Sequence, residues 1–218
     1  MTEHWKKSVL LREYGDHFFE AFSESVCDIK ERNNAVIDRA KRAERVTFFD
    51  SSGNKLTGFF DKDQKWANLH GAGHYDLMPG EVATRINNLN GHLKFGGTFL
   101  STIPFAIKYG VIDNILDIEI KDSKVVGVSS SNDSLKKDFI SYLNRCEGNK
   151  IVEEFGIGTN TGIRKLYGRN ASFEERHAGL HLGLGGGQKQ SHHLDLIFSN
   201  GTLMFDEEII IKNGVFYV

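Results

Sequence analysis

Proline is nearly absent, with two residues in 218, and so is cysteine, also with two. Two cysteines far apart in the chain, Cys27 and Cys146, form no CxxC motif. That excludes a disulfide scaffold and a cysteine-ligated zinc finger, and it favours two reduced thiols over a single bridge. A basic surplus is also missing. The formal net charge is −2, which gives no electrostatic footprint for a nucleic-acid partner. No apolar run approaches the roughly 18 residues that span a bilayer, and Val9-Leu10-Leu11 is too short for the core of a signal peptide. These absences lead us to expect a cytoplasmic protein that binds neither membrane nor nucleic acid. Glycine, by contrast, is abundant at 23 residues, and with so little proline it indicates many turns between strands.

The chain changes texture near residue 45. Before it, Phe18, Phe19, Phe22, Val26 and Ile29 recur at a helical period, so a helix is expected from about Trp5 to Lys30 and a second from about Asn34 to Ala43. After it, β-branched and aromatic runs alternate with turn signals. Val46–Asp50 and Leu56–Phe60 flank Ser51-Ser52-Gly53-Asn54 as a hairpin. Gly91–Phe95 is a further strand candidate. Ile115–Ile120 and Val125–Val128 form a second hairpin, and Gly201–Asp206, Glu208–Lys212 and Val215–Val218 continue the pattern, with Asn213-Gly214 as a two-residue turn. One helix interrupts the strands, from Ser134 to Asn144, with Ser134 as its expected N-cap. The fold class expected is α+β: N-terminal helices over residues 1–33, then a mostly antiparallel, strand-rich body over residues 34–218.

Residues able to carry chemistry concentrate in the last third. Glu153, Glu154, Glu174, Glu175, His177, His181, His192, His193 and Asp195 surround Gly156-Ile157-Gly158 and the glycine run 183–187. Imidazoles and carboxylates that converge beside small residues are the donor set of a divalent metal site. His193 and Asp195 stand at i and i+2, which on a strand point to one face; the HxD pattern is nonetheless common. His181 between glycines reads equally as a half-buried histidine of a glycine-rich strand. Glu154 alone is a solvated acid of a loop, and Glu81, after Met78-Pro79-Gly80, is an ordinary turn-flanking carboxylate. His192 falls on the face opposite His193, and His70 and His74 are loop histidines. Gly156-Ile157-Gly158 lacks the spacing of a dinucleotide loop, and the glycine run lacks the Lys-Ser/Thr of a phosphate loop.

In order, however, the motifs Pro79-Gly80-Glu81-Val82, Glu154 before Gly156-Ile157-Gly158-Thr159-Asn160, Glu175 before Gly179 and His181, and His193-Leu194-Asp195 resemble those of the thermophilic metallo-aminopeptidase (aminopeptidase T/S) family. The segment Ala40–Asp50 with Gly53–Thr57 is similar too, so the likeness runs from about Asn34 to Val218. It implies the C-terminal domain of that family without its N-terminal α/β domain, and two divalent ions, zinc or cobalt. It further implies Glu81, Glu154, His181, His193 and Asp195 as ligands, with Glu154 shared and Glu154 and His181 at the catalytic centre. One departure stands out: seven residues after His181, where the family carries a catalytic tyrosine, this chain has Gln188.

Three functions follow as expectations. The first is a metal-dependent hydrolase of aminopeptidase type acting on a small peptide or amide. The second is a peptide-binding module with little turnover. The third is a mononuclear Fe(II) ring-cleaving dioxygenase using His181, His193 and Asp195, since dihydroxypyridine dioxygenases resemble the same fold. A homodimer or a partner protein is expected to cover the face left open by the missing domain.

Overall fold

The N-terminal helices meet the sheet through polar as well as apolar contacts. The computed structural model describes residues 15–72, 78–101 and 105–218; the expected helix from Trp5 and the loop histidine His74 lie wholly or partly outside them. A 3-10 turn over Asp16–Phe22 precedes helix α1, Val26–Arg42. The two helical runs read from the sequence thus redistribute. The break falls at residues 23–25, where the Ser25 hydroxyl accepts from the Cys27 N–H, and α1 continues without interruption through Asn33 and Asn34. Cys27 and Cys146 are both free thiols. Among the described residues no helix is long and apolar enough to cross a membrane.

Among the described residues thirteen strands follow: β1 Val46–Phe49, β2 Lys55–Phe59, β3 Ala67–Leu69, β4 Glu81–Thr84, β5 Asn87–Ser101, β6 Ile112–Lys121, β7 Lys124–Ser130, β8 Val152–Gly158, β9 Gly179–Leu184, β10 Leu194–Phe198, β11 Thr202–Phe205, β12 Glu208–Lys212 and β13 Val215–Phe216. Helices α2, Phe105–Tyr109, and α3, Asp133–Arg145, interrupt them. The sheet order is β13-β12-β11-β1-β2-β5-β10-β9-β8-β4-β3, with β6 on β5 and β7 on β6. Every strand pair is antiparallel. The result is the α+β class expected, a half-barrel of antiparallel strands with few helices.

The hairpins read from the sequence form as β1–β2, β6–β7 and β11–β12–β13. Their turns contain residues that tolerate the left-handed region: Asp122 and Ser123 at φ 50° and 58°, Asn213 and Gly214 at 48° and 79°. The strand candidate at Gly91–Phe95 is only the middle of β5, whose start pairs with β2 and whose end pairs with β10. Helix α3 is where the spacing places it, but its cap is Asn132, whose side chain accepts from the Leu135 N–H at 3.0 Å; Ser134 falls inside the first turn, where its hydroxyl is too far along to cap.

The apolar stripes of α1 (Val36, Ile37, Ala40) and α3 (Leu135, Phe139, Tyr142, Leu143) join one core with Phe95, Phe99, Phe155 and Phe198 from the sheet. One buried polar group pins α1 to that sheet. The Asn33 amide donates to Asn68 Oδ1 at 2.9 Å and to the Glu81 carbonyl at 3.1 Å, and its oxygen accepts from the Thr159 hydroxyl. Asn33→Leu strands these partners and should cost about 1–3 kcal/mol, measured by chemical denaturation.

Candidate metal centre

Strand register builds the site. Directly opposed residues of neighbouring strands share a face, and so do residues two apart on one strand. Glu154, Gly183 and Asp195 stand opposite one another on β8, β9 and β10. One step along, Ala83, Gly156 and His181 are opposed on β4, β8 and β9. One step further, Glu81 faces Gly158. His193 stands two residues before Asp195, at the mouth of β10. All five side chains implied by the resemblance therefore rise from one face.

The glycines between them are what lets these side chains converge. A Cβ on Gly156 would lie 1.9 Å from His181 Nε2, and one on Gly183 would lie 2.6 Å from His193 Cε1 and 2.8 Å from Glu154 Cβ. The imidazoles lean over strand positions that carry no side chain. Gly158 serves a third approach, since a Cβ there would strike the His177 carbonyl at 1.9 Å and the Glu175 carbonyl at 2.7 Å. The 3-10 turn Ser172–Arg176 thus drops close onto the sheet and delivers Glu175 and Arg176 to the cluster.

The geometry centres on Glu154. Its Oε1 is 3.5 Å from His181 Nε2 and its Oε2 is 3.8 Å from His193 Nε2. His181 Nε2 is 3.2 Å from Glu81 Oε1, and His193 Nε2 is hydrogen-bonded to Asp195 Oδ1 at 2.7 Å. Two donor groups result, Glu81–Glu154–His181 and Glu154–His193–Asp195, each with ligand atoms within 4.8 Å of one another. Small adjustments bring such atoms onto one cation with bonds of about 2.0–2.2 Å. His181, His193 and Asp195 do not form a group of their own; each imidazole groups with Glu154.

A divalent cation suits this arrangement on two grounds. Glu81, Glu154, Glu175 and Asp195 crowd together, with the guanidinium of Arg176 paired to Glu81 and Glu175, and this gathering of acids is costly away from water. His181, 1% exposed, has no hydrogen-bond partner for either ring nitrogen, because its contacts with Glu81 and Glu154 lack hydrogen-bond geometry. A buried imidazole left so is an expensive arrangement unless something binds it.

Protonation shifts express the same imbalance. The Asp195 hydrogen bond, with Glu154 adding and burial opposing, pushes His193 up to about 9. Burial pulls His181 down, but the Glu154, Asp195 and Glu175 carboxylates outweigh it and raise it. Glu154 is lowered by His181 against its own burial. Burial, then Asp195, push Glu175 up to about 8, with His181 opposing; the Arg176 guanidinium, 2.9 Å from Glu175 Oε1, also favours the ionised form.

His177 is shifted by burial alone, down to about 4 from an ordinary 6.5. Its unfolded form takes a proton below about pH 6.5 that the folded form refuses until about pH 4. Stability is thus lost as pH falls through this window, by on the order of 3 kcal/mol. Subtracting the denaturation curve of His177→Gln from that of the wild type should isolate this slope, free of the opposite contribution of Glu175.

An open cleft of about 770 Å³ leads to Glu154 and Glu81. Its floor is Ala67 and Leu69 of β3 and Ala83 of β4, with Gln64, Lys65 and Arg85 on the rim. On the other side, the segment between β9 and β10 is tied down by Tyr142, whose hydroxyl donates to the Leu184 and His192 carbonyls at 3.0 and 2.7 Å. Asn149 accepts from the His192 N–H at 2.8 Å, which fixes the approach to His193. Gln188 lies on this segment, exposed, with its side chain against Gly148, and His192 is exposed. His70 accepts from the Ala72 N–H at 3.1 Å.

Sequence reasoning passed over Arg176, and it took Glu175 as a marker rather than a site residue. The acidic pair Glu174-Glu175 beside Arg176 was the available signal, but only the fold separates them. Glu174 turns inward and accepts the backbone N–H groups of Tyr167, Gly168 and Arg169, while Glu175 faces the cluster.

No family model and no curated protein matches the sequence. Among solved structures, the chain is similar to a 2,5-dihydroxypyridine dioxygenase from Pseudomonas putida KT2440, with 16% identity and a TM-score of 0.65, over 88% of this chain and 60% of that one. It is also similar to wild-type AmpT (aminopeptidase T) from Thermus thermophilus, with 14% identity and a TM-score of 0.64, over 93% of this chain and 58% of that one. The fold is shared and the relationship is distant. The chain spans about three fifths of the length of either neighbour.

Proposed function

We propose that this chain is a metal-dependent hydrolase of aminopeptidase type, acting on a small peptide or amide in the cleft beside Glu154. The observation that carries the reading is the position of Glu154, whose two carboxylate oxygens face two different imidazoles, each belonging to its own donor group. Glu81 and His181 would complete one position and His193 and Asp195 the other. Divalent ions held by these residues would supply Lewis acidity toward a water and an amide carbonyl.

The protein's own part is to orient and to exclude. The small residues Ala67 and Ala83 keep the floor low, so an extended substrate can lie across β3 and β4 with its reacting group over Glu154. Asp195 holds the His193 ring through Nε2, and a cation must displace that hydrogen bond to use the same nitrogen.

The likeness to a dioxygenase supports a second reading, one Fe(II) on His181, His193 and Asp195. The separation of His181 from the His193–Asp195 pair into different groups favours the first. Metal analysis of the purified, untagged protein by mass spectrometry, with an assay on amino-acid p-nitroanilides, separates them. We expect zinc-like metal and slow amide hydrolysis. Iron with oxygen uptake on an aromatic diol supports the second reading. A metal-free protein that stays metal-free in millimolar zinc or cobalt contradicts both and leaves the peptide-binding module.

A further inference from the structure

We infer that Arg176 acts as a resident counter-cation that makes the two metal positions unequal. The Glu154–His193–Asp195 side fills first, and the Glu81–Glu154–His181 side fills only when Arg176 releases Glu81. This rests on the metal-dependent reading above and adds an order of occupancy to it.

The two sides differ in the cation that already sits on them. Arg176 Nη1 is ion-paired with Glu81 Oε2 and lies 2.9 Å from Glu175 Oε1, while Nε donates to the Met78 carbonyl at 3.3 Å. Its side chain is 10% exposed and that of Glu81 is 5% exposed, so water screens the pair poorly. A guanidinium does not give up its charge. One oxygen of Glu81 is therefore already neutralised, and the other faces His181 at 3.2 Å. On the opposite side, Glu154 and Asp195 pair only with histidines among the described residues. A dication approaching Glu81 meets a guanidinium that cannot shed its charge, whereas one approaching Asp195 meets the His193 imidazole, which can give up its proton to it.

The arrangement is built rather than incidental. The approach permitted by Gly158 sets the turn carrying Arg176 directly on the sheet, and the Met78 carbonyl aims the guanidinium. His181, buried and without a hydrogen-bond partner, stands between Glu81 and Glu154. Arg176 is thus a positioning residue: it sets how many cations the cluster holds at a given metal concentration.

The test is calorimetric titration of the chelator-stripped, full-length protein with Zn²⁺, with stoichiometry checked by equilibrium dialysis. The wild type should take one equivalent tightly and a second at least about 100-fold more weakly. Arg176→Met should bring the two constants within about tenfold of each other. Two indistinguishable sites in the wild type, or a second constant unmoved in Arg176→Met, would overturn the inference while leaving the metal-dependent reading intact. Wild-type protein that binds no zinc overturns both. Should Arg176→Met fail to fold, Glu81→Gln decides instead, since glutamine can still accept from Arg176. The first constant should stay in place and the second vanish; a loss of the first constant would refute the order of filling.

Discussion

Glu154→Gln should remove most of the response of this protein to divalent metal. Both donor groups contain Glu154, so one neutralised carboxylate removes a ligand from each. Replacing even an outer partner of a metal ligand commonly costs 10–100-fold in affinity, so a shared direct ligand should cost at least about 100-fold. The readout is thermal. Metal at about 1,000 times its dissociation constant stabilises the folded state by about 4 kcal/mol. At roughly 2–4 °C per kcal/mol for a chain of this size, that is about 8–16 °C in the wild type; a variant bound about 100-fold more weakly keeps about 1.4 kcal/mol at the same metal concentration, so at most about 3–6 °C. Glu153→Gln is the control one residue away. Its carboxylate faces Arg85 at 3.6 Å and the Gly187 backbone, and the metal response should persist.

Gly156→Ala should do nearly as much damage with a single methyl group. The new Cβ would sit 1.9 Å from His181 Nε2 and 2.2 Å from its Cε1. The ring cannot yield easily, because it is 1% exposed and packed on every side. Either the ring or the strand must shift. The expected result is a loss of about 1–3 kcal/mol in denaturant stability, typical of overpacking, together with at least about 100-fold weaker metal binding, as for loss of a ligand. Gly179→Ala, on the strand that carries His181, is the contrast. Its Cβ would meet nothing nearer than the Phe198 carbonyl at 3.4 Å, and both stability and metal binding should hold.

These two glycine positions also explain which parts of the molecule could be read in advance. The hairpins β1–β2 and β6–β7 and the C-terminal meander announced themselves because alternation and turn residues agree there. Helix α3 did so through Leu135, Phe139 and Leu143. Of the strands that form the site, β4 and β8 gave no such signal. In β8, Val152–Gly158, two glutamates and two glycines replace the β-branched residues that mark a strand, because the His181 side chain needs the space above Gly156 and the backbone of residues 175–177 the space above Gly158. β4 hides for a related reason: its opening residue, Glu81, is acidic yet only 4% exposed. The five candidate ligands came from the order of motifs in a family resemblance, and the register brings all five to one face. Arg176 could not be anticipated, since its place depends on how closely a 3-10 turn approaches a strand many residues away. The break between the two N-terminal helical runs falls earlier than expected for a local reason, as Ser25 caps α1 and splits a stripe that looked continuous.

The most direct test is anomalous diffraction at the metal absorption edge from a crystal soaked in zinc or cobalt. We expect an anomalous peak about 2.0–2.2 Å from a Glu154 carboxylate oxygen, with His193 and Asp195 around it. A peak bound elsewhere on the molecule, with Glu154 left uncoordinated, would contradict the account.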